Sequence, residues 1–541
     1  MTGAAGMGRR RAAGEAEPMG VDVTADEVVD VIVVGAGPTG MMLAGELALA
    51  GVEAVLLEQR EDGELEGSRA GGIHARTIEI LDQRGIVGPF LEEGTTVQTA
   101  RFGGSVLDIS DFPTRHPYGL ALWQNRIEPL LASWVSSLGV RTVHGVTVNG
   151  IAQDESGVTV SLESGAEWRG RWLVGADGGR STVRKSAGIG FPGVDASMST
   201  LIAEVSIGDG VTAPVGLLQD EAGNHGMTPL GGGAYRVVTS ERTLVRGGAP
   251  ATLDDLRASL RAAYGSDFGV HSPTWVSRFT DATRQASAYR AERILVAGDA
   301  AHVHYPAGGQ GIGLGIQDAV NLGWKLAAVV RGDTAPALLD TYHSERHAAD
   351  ARALELSMAQ TVLQRVDART AALNAVLERE VFGGGATDAS GSAASAASAA
   401  AGGLSDGARV RVAALIHGLD VAYAAPEGAH PLVGRRVPDL DLVIGGDVVR
   451  MYSLLYRARP VLVDLSAGIE LGGWSGRVDR VDAAYAGTWT LPVLGAVSAP
   501  AAVLVRPDGH VAWVADGVEP IEAALARWFG PAGRGPATVD A

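Results

Sequence analysis

The chain has 541 residues, a formal net charge of −18 and no cysteine. The acidic balance argues against nucleic acid or an anionic membrane as main partner, and the missing thiols exclude disulfides, thiolate nucleophiles, Cys-zinc sites and iron–sulfur clusters. Any redox chemistry must therefore come from a bound cofactor, in a chain that at roughly 100–200 residues per domain is long enough for several.

Residues 1–26 carry Arg9-Arg10-Arg11 but continue in Ala/Gly/Glu-rich sequence. They read as a disordered extension with no signal peptide. Val28–Val34 is apolar and β-branched, as a buried parallel strand should be. Gly35, Gly37 and Gly40 follow, with Pro38 and Thr39 between them. They permit a tight turn, let the backbone approach a pyrophosphate and let helix pack close to strand. The helix expected over Thr39–Ala50 then points its free N–H groups and its dipole at the phosphates. A second strand, Glu53–Leu57, ends in Glu58 and Gln59. Glu58 stands near the spacing at which a carboxylate accepts bonds from the adenosine ribose hydroxyls.

Ser68-Arg69-Ala70-Gly71-Gly72 precedes a helix over Ala75–Arg84, and Trp123-Gln124-Asn125-Arg126 one over Ile127–Leu138. Trp172–Ala176 reads as a strand delivering Asp177-Gly178-Gly179-Arg180-Ser181. Residues 195–290 lose the glycine signature and alternate at Thr200–Ile207, Tyr235–Thr239 and Trp275–Phe279, around one helix, Leu253–Tyr264. That pattern predicts a mostly antiparallel sheet. Strand Arg293–Ala297, the turn Gly298-Asp299-Ala300 and a helix over Gly315–Arg331 return to the first domain. The order of three glycine-anchored turns, at 35–40, 175–178 and 298–311, points to FAD held by distant pieces of chain. A helical stretch, Leu338–Phe382, leads into Gly383–Gly407, almost entirely Gly, Ala, Ser, Asp and Thr, which reads as a flexible linker. Strands Arg459–Asp464, Ala501–Val505 and His510–Ala515 predict a small α/β domain at the end. No apolar run reaches the ~18–20 residues of a membrane span.

At this point the chain resembles the group A flavoprotein monooxygenases with the p-hydroxybenzoate hydroxylase fold, specifically the aromatic polyketide hydroxylases. The resemblance covers roughly residues 27–535. It rests on Asp177–Arg184 with Ala187-Gly188-Ile189, on Gly298-Asp299-Ala300-Ala301-His302 through Gly308-Gly309-Gln310-Gly311 to Asp318–Leu326, and on His430–Gly434 and Val505–Gly509. It implies an α/β chain: a Rossmann-type FAD-binding domain (27–194 and 291–382), an inserted antiparallel-sheet substrate domain (195–290), a linker region (383–429) and a C-terminal thioredoxin-like domain (430–541). Without cysteine that last domain cannot exchange disulfides, which leaves it a structural or dimerising role.

The resemblance also implies roles. Asp299 matches the carboxylate that accepts a bond from the flavin ribityl hydroxyl. The backbone of Gly311 and Ile312 faces the flavin N1/O2 edge, Pro306 sits near the carbon at which oxygen adds, and Gly309 belongs to the same loop. Arg69 and Gln124 match residues at the FAD phosphates. Asp177 and Gly178 belong to a fingerprint of both FAD and the nicotinamide nucleotide. His302 and His304 lie beside the flavin, where packing is as good an explanation as proton transfer. Trp123, Met227, Pro229 and Tyr235 are pocket candidates that core packing also explains. Gly71-Gly72-Ile73-His74 and the Gly383–Gly407 segment depart from the usual pattern.

The implied activity is hydroxylation of an aromatic polyketide in antibiotic biosynthesis, consuming NADPH or NADH and O2 by way of a flavin C4a-hydroperoxide. The expected setting is the cytoplasm, as a monomer or homodimer, with no metal. The nearest rival is a Baeyer–Villiger oxygenase on the same fold, and fold alone does not separate the two. A flavin-dependent halogenase or reductase is less favoured because the halogenase Trp-x-Trp-x-Ile-Pro motif is absent. A further alternative is a non-catalytic FAD-bound partner of another oxygenase.

Overall fold

The computed structural model describes residues 28–67, 69–245, 250–382 and 402–533. The expected N-terminal extension and the first part of the expected linker, 383–401, lie outside them.

The central sheet grows from the most apolar strand. Strand β1 (Val28–Val34) is followed by helix α1 (Pro38–Leu49) and strand β2 (Ala54–Leu57), which returns parallel to β1 with Val33 opposite Leu56. After α2 (Ala75–Asp82), strand β3 (Arg141–Val143) extends the sheet beyond β2. Strand β4 (Glu167–Gly175) lies parallel on the other side of β1, and β5 (Ile294–Val296) adds beyond it. Helix α3 (Gly311–Val330) is buried along almost its whole length and packs on α1, while α4 (Asp340–Leu363) packs on α3. The crossovers place the C-terminal ends of β1, β4 and β5 side by side, where open α/β sheets bind ligands.

The inserted sheet has five antiparallel strands, ordered Gly216–Asp220, Gly223–Gly231, Ala234–Ser240, Ser199–Ser206, His271–Thr280. One face packs on the helix Leu253–Tyr264 through Leu201, Ala203, Val205, Met227, Val237, Leu256 and Leu260. That helix occupies the span expected for it, and a capping box at Thr252 and Asp255 sets its start.

Two expectations change. The single helical stretch over Leu338–Phe382 breaks after Leu363, and Asp367 caps a new helix, Ala368–Val376. Residues 402–417 are not linker: they form helix α5 (Gly402–His417), with Ala413, Ala414 and Ile416 buried against Ala100, Leu107 and Phe112. Alanine is the best helix former, and the apolar positions that commit this segment find partners only in the folded chain.

The last domain pairs Val461–Asp464 parallel with Asp479–Asp482 and antiparallel with Ala502–Val505, and Val511–Val514 pairs antiparallel with Ala502–Val505. With helix Ile521–Phe529 this is the expected thioredoxin-like domain. It shares the core of the first domain: Trp324 of α3 meets the rings of Trp528 and Phe529 at 6.2 and 5.9 Å. Buried ion pairs reinforce the join. Arg506 donates to Glu345 at 2.6 Å and also pairs with Asp508, and Lys325 donates to the same Glu345 at 2.7 Å. Arg84 pairs with Glu46 at 2.5 Å and donates to the carbonyl of Pro507 at 2.8 Å.

Removing one partner of a buried pair strands the other charge, at a cost of about 3–5 kcal/mol. Arg506→Ala should therefore lower the unfolding free energy by that amount and bring down the urea midpoint, followed by tryptophan fluorescence. An unchanged midpoint would show that the pair does not hold the domains together.

Candidate functional site

Three turns converge at the carboxyl ends of β1, β4 and β5, and glycine permits each approach. Gly35 has φ of 102°, and a Cβ there would collide with the Ala176 carbonyl beyond β4. A Cβ at Gly40 would run into the Gly35 carbonyl. Gly298 has φ of 60°, and a Cβ there, or at Gly315 of α3, would strike Thr39 Oγ1. The 35–40 and 175–178 segments thus touch through bare backbone, and the Gly298 turn packs on the Thr39 side chain.

Space remains where a ligand would lie. A Cβ added at Gly37 or Gly178 meets nothing within 4 Å. Helix α1 begins at Pro38 and α3 at Gly311, and neither N-cap residue uses its side chain on the exposed N–H groups. Both helix starts offer donors and positive dipole ends to an anion. Asp299 stands exposed on a turn whose neighbours Gly298 and Ala300 are buried, and Pro306 and Gly309 are likewise exposed. Ile312 is half-buried at the α3 start.

The acid after β2 is tightly held. Glu58 Oε2 accepts from the Ala36 N–H at 2.7 Å, and Oε1 accepts from Arg60 N at 2.9 Å and Nε at 3.1 Å. Arg60 also donates to Glu128 at 2.7 Å, and Gln124 donates to Glu128 Oε1 at 2.8 Å. Burial would raise the Glu58 carboxyl, but the Arg60 bonds outweigh it and hold the group below its ordinary range. Gln59 points to solvent. Arg60 and Glu128 are additions to the expected set; the signal was a basic residue two positions beyond the strand-ending acid.

Two expected residues make contacts within the protein. The Asp177 carboxylate accepts from Ser181 Oγ at 2.5 Å and from the N–H groups of Thr182 and Val183 at 2.6 and 3.1 Å. It caps a short helix, which leaves the backbone of Ala176–Gly178 to face the crevice. Arg69 is exposed and its guanidinium stacks over Trp275 at 5.6 Å, while its carbonyl accepts from Arg236 at 3.2 Å.

Strand alternation settles which sheet face serves the site. Met227 and Tyr235 point to the helix side. Ser240, Asn224, Phe279 and Thr200 therefore belong to the opposite face, and there Thr200 Oγ1 and Phe279 meet Tyr305 of the 298–311 segment at 3.4 and 5.6 Å. By register, Ile202, Glu204, Arg236, Val238, Thr228 and Trp275 share that face. Trp123 lies against it, under the Arg236 guanidinium at 4.9 Å.

Beneath the Gly298 turn, Asp318 Oδ2 accepts from the Gly298 N–H at 3.0 Å and from His302 Nε2 at 2.8 Å, and Oδ1 accepts from Arg346 at 2.7 Å. Arg346 also donates to Asp350 at 2.5 Å. The three groups His302, Asp318 and Asp350 come close enough to hold a cation, but the Arg346 guanidinium bonds both carboxylates and, with a protonated His302, balances their charge. Burial would lower the His302 pKa; Asp350 and Asp318 overcome it and raise it to about 9. Asp350 itself is pushed up by burial, against Arg346. A groove of about 840 Å³ runs outside the 175–180 turn, lined by Arg180, Arg278, Arg284, Ser277 and Phe279.

The FAD binding domain model matches residues 28–357, and the aromatic-ring hydroxylase C-terminal model matches residues 430–532. The chain is 40% identical to rifampicin monooxygenase of Streptomyces venezuelae over 94% of this chain and 100% of that protein. It superposes on OxyS anhydrotetracycline hydroxylase from Streptomyces rimosus with TM-score 0.82 at 39% identity, covering 94% of this chain and 100% of that one. It superposes on CabE, an aromatic hydroxylase from angucycline biosynthesis, with TM-score 0.83 at 38% identity and the same coverage. No helix among the described residues is long and apolar enough to cross a membrane.

A histidine raised in the fold stabilises it fully below the free-imidazole pKa of about 6.5 and ceases to do so as pH passes the folded value. The melting temperature should thus fall between about pH 6.5 and pH 9, where His302 titrates. His302→Gln should flatten that slope in differential scanning fluorimetry; an equal slope in both proteins would remove His302 from the titration.

Proposed function

This chain belongs to the FAD-dependent aromatic-ring hydroxylase family of group A flavin monooxygenases, and on that premise we propose that it hydroxylates an aromatic polyketide in antibiotic biosynthesis, with NAD(P)H and O2 as co-substrates. The observation that carries the reading is the convergence of three glycine turns and two helix N-termini on one crevice, roofed by a sheet face that sets Ile202, Val238, Trp275 and Phe279 among polar side chains. Two of the similar proteins are named for anhydrotetracycline and for angucycline biosynthesis, and both are flat polycycles.

The open space at Gly37 and Gly178 fits the FAD pyrophosphate, Glu58 the ribose and exposed Asp299 the ribityl chain. Bound FAD supplies hydride acceptance and activation of O2. The protein's own task is binding, orientation and water exclusion. The N–H groups at Gly311 and Ile312 favour negative charge at the flavin edge that meets them. Ile202, Val238, Trp275, Phe279 and Tyr305 offer flat apolar contact to fused rings, while Arg236 and Glu204, cross-strand partners, give a polar anchor. Arg180, in the groove where Arg284 pairs with Asp195, suits a phosphate of a transiently docked NAD(P)H. The setting proposed is the cytoplasm, as a monomer or homodimer.

Asp299→Ala should yield largely apo protein; retention of stoichiometric FAD would remove that assignment. Arg180→Ala should raise KM for NAD(P)H about tenfold, the worth of one charge-assisted hydrogen bond, with kcat unchanged. The reaction itself is tested by NAD(P)H oxidation with angucyclinone, anthracyclinone and tetracycline-type substrates, followed by product NMR. A new phenol establishes hydroxylation and a ring-expanded lactone establishes Baeyer–Villiger oxidation. No substrate-stimulated NAD(P)H consumption would leave only the role of a FAD-bound partner.

A further inference from the structure

Behind the Gly308–Gly311 loop lies a small cavity that none of these roles uses. It is lined by α2, the start of α3, α4 and the end of α5, and holds about 30 Å³. Five polar atoms of its lining residues are buried without a protein partner: His74 Nδ1, Thr77 Oγ1, Gln310 Oε1, His417 Nε2 and Asp420 Oδ1. Protein interiors leave few such atoms unpaired unless ordered water meets them.

The neighbours decide where the imidazole protons sit. The Gly308 carbonyl lies 2.6 Å from His74 Nε2 and can only accept, so His74 carries its proton there and presents Nδ1 as an acceptor. The Ala75 N–H lies 3.4 Å from His417 Nδ1 and can only donate, so His417 presents Nε2–H as a donor. Burial, and then the neighbouring His74, keep His417 neutral by lowering its pKa to about 2. Burial depresses His74 as well, against its bond to Gly308. The two rings meet edge to face at 4.7 Å. The cavity therefore offers acceptors at His74, Gln310 and Asp420, a donor at His417, and a hydroxyl at Thr77 able to do either. Arg346 and Arg352 also line the cavity, but Asp318, Asp350 and Asp420 already engage their guanidiniums; an anion would confront three acceptors, one of them a carboxylate, and a metal cation would meet the His417 N–H. Water supplies two donors and two acceptors, and the volume exceeds the roughly 10–15 Å³ that one needs.

We propose that this cavity is an ordered-water site and that the water-bridged His74–His417 pair is a positioning device for the Gly308 carbonyl, and through it for the loop that meets the flavin. Helix α5 is its far wall: Gln310, the residue before α3, donates to the Ile416 carbonyl at 3.1 Å. The loop is thus held by α2 through His74 and by α5 through Gln310. The positioning role rests on the flavin lying against Pro306–Ile312; the water site does not.

Two measurements test it. A high-resolution crystal structure of the holoprotein should show water within hydrogen-bond distance of His74 Nδ1 and His417 Nε2, and a dry cavity would overturn the water site. His74→Phe keeps a ring but loses the donor, whereas His74→Gln keeps an N–H donor near the Nε2 position. Expected for His74→Phe are about tenfold weaker FAD binding, read by flavin fluorescence, and a larger share of NAD(P)H oxidation released as hydrogen peroxide. His74→Gln should stay within about threefold of the parent. If the Phe variant matches the parent, or if the Gln variant falls with it, the positioning role is wrong. Thr77→Val keeps the shape while deleting one water contact. It is read in the same way should His74→Phe not fold; a parent-like result there would also count against the device. A parent that binds FAD while Asp299→Ala binds it equally well would instead indict the flavin placement.

Discussion

One carboxylate, Asp318, holds the site together. Its two oxygens reach the turn that presents Asp299, the buried His302 and the Arg346 guanidinium of α4. An ionised group so deep survives only with such compensation. Because Asp318 sits on α3, the same bonds set the Gly298 turn against the helix whose N-terminus opens at Gly311. The ribityl end and the N1 edge of the proposed flavin site are therefore placed by one rigid unit. Thr39, wedged between Gly298 and Gly315, adds the pyrophosphate turn to that unit.

The roof is less determined by charge than by alternation. In a pleated strand, neighbouring side chains point to opposite faces. Moving the pairing by one residue would exchange the Leu201–Val237 core face with the Ile202–Val238 site face. The helix Leu253–Tyr264 prevents that slip by burying the former set. The residues of the site face can therefore vary without disturbing the sheet's own core.

The C-terminal domain, residues 430–532, contains no cysteine and so carries no thiol chemistry. The Arg506–Gly509 turn enters between α2, α3 and α4 and exchanges buried hydrogen bonds with each. Lys325, one of only two lysines in the chain, is buried in this join, where desolvation brings its pKa to about 8 despite Glu345. The domain therefore braces the helices that carry the cofactor crevice from the side opposite the substrate sheet.

The local features were legible in the chain itself. Strand, glycines and helix at 28–49 recur with boundaries shifted by a residue, because short-range sterics and the apolar period govern them. The acid at Glu58, the turn at Gly298 and the capped helix at Leu253 were legible for the same reason. What the linear order could not show were relations between distant segments. Asp177 turned to cap its own helix because Ser181 Oγ and two backbone N–H groups lie within hydrogen-bond reach of its carboxylate. Met227 and Tyr235 faced inward because a period of two names two faces without saying which is buried. Residues 402–417 looked like linker until the first domain supplied partners for Ala413 and Ile416. The sequence by itself determined the cofactor class and the elements that hold it; only tertiary structure decided which side chains face the crevice, since that depends on contacts between residues hundreds of positions apart.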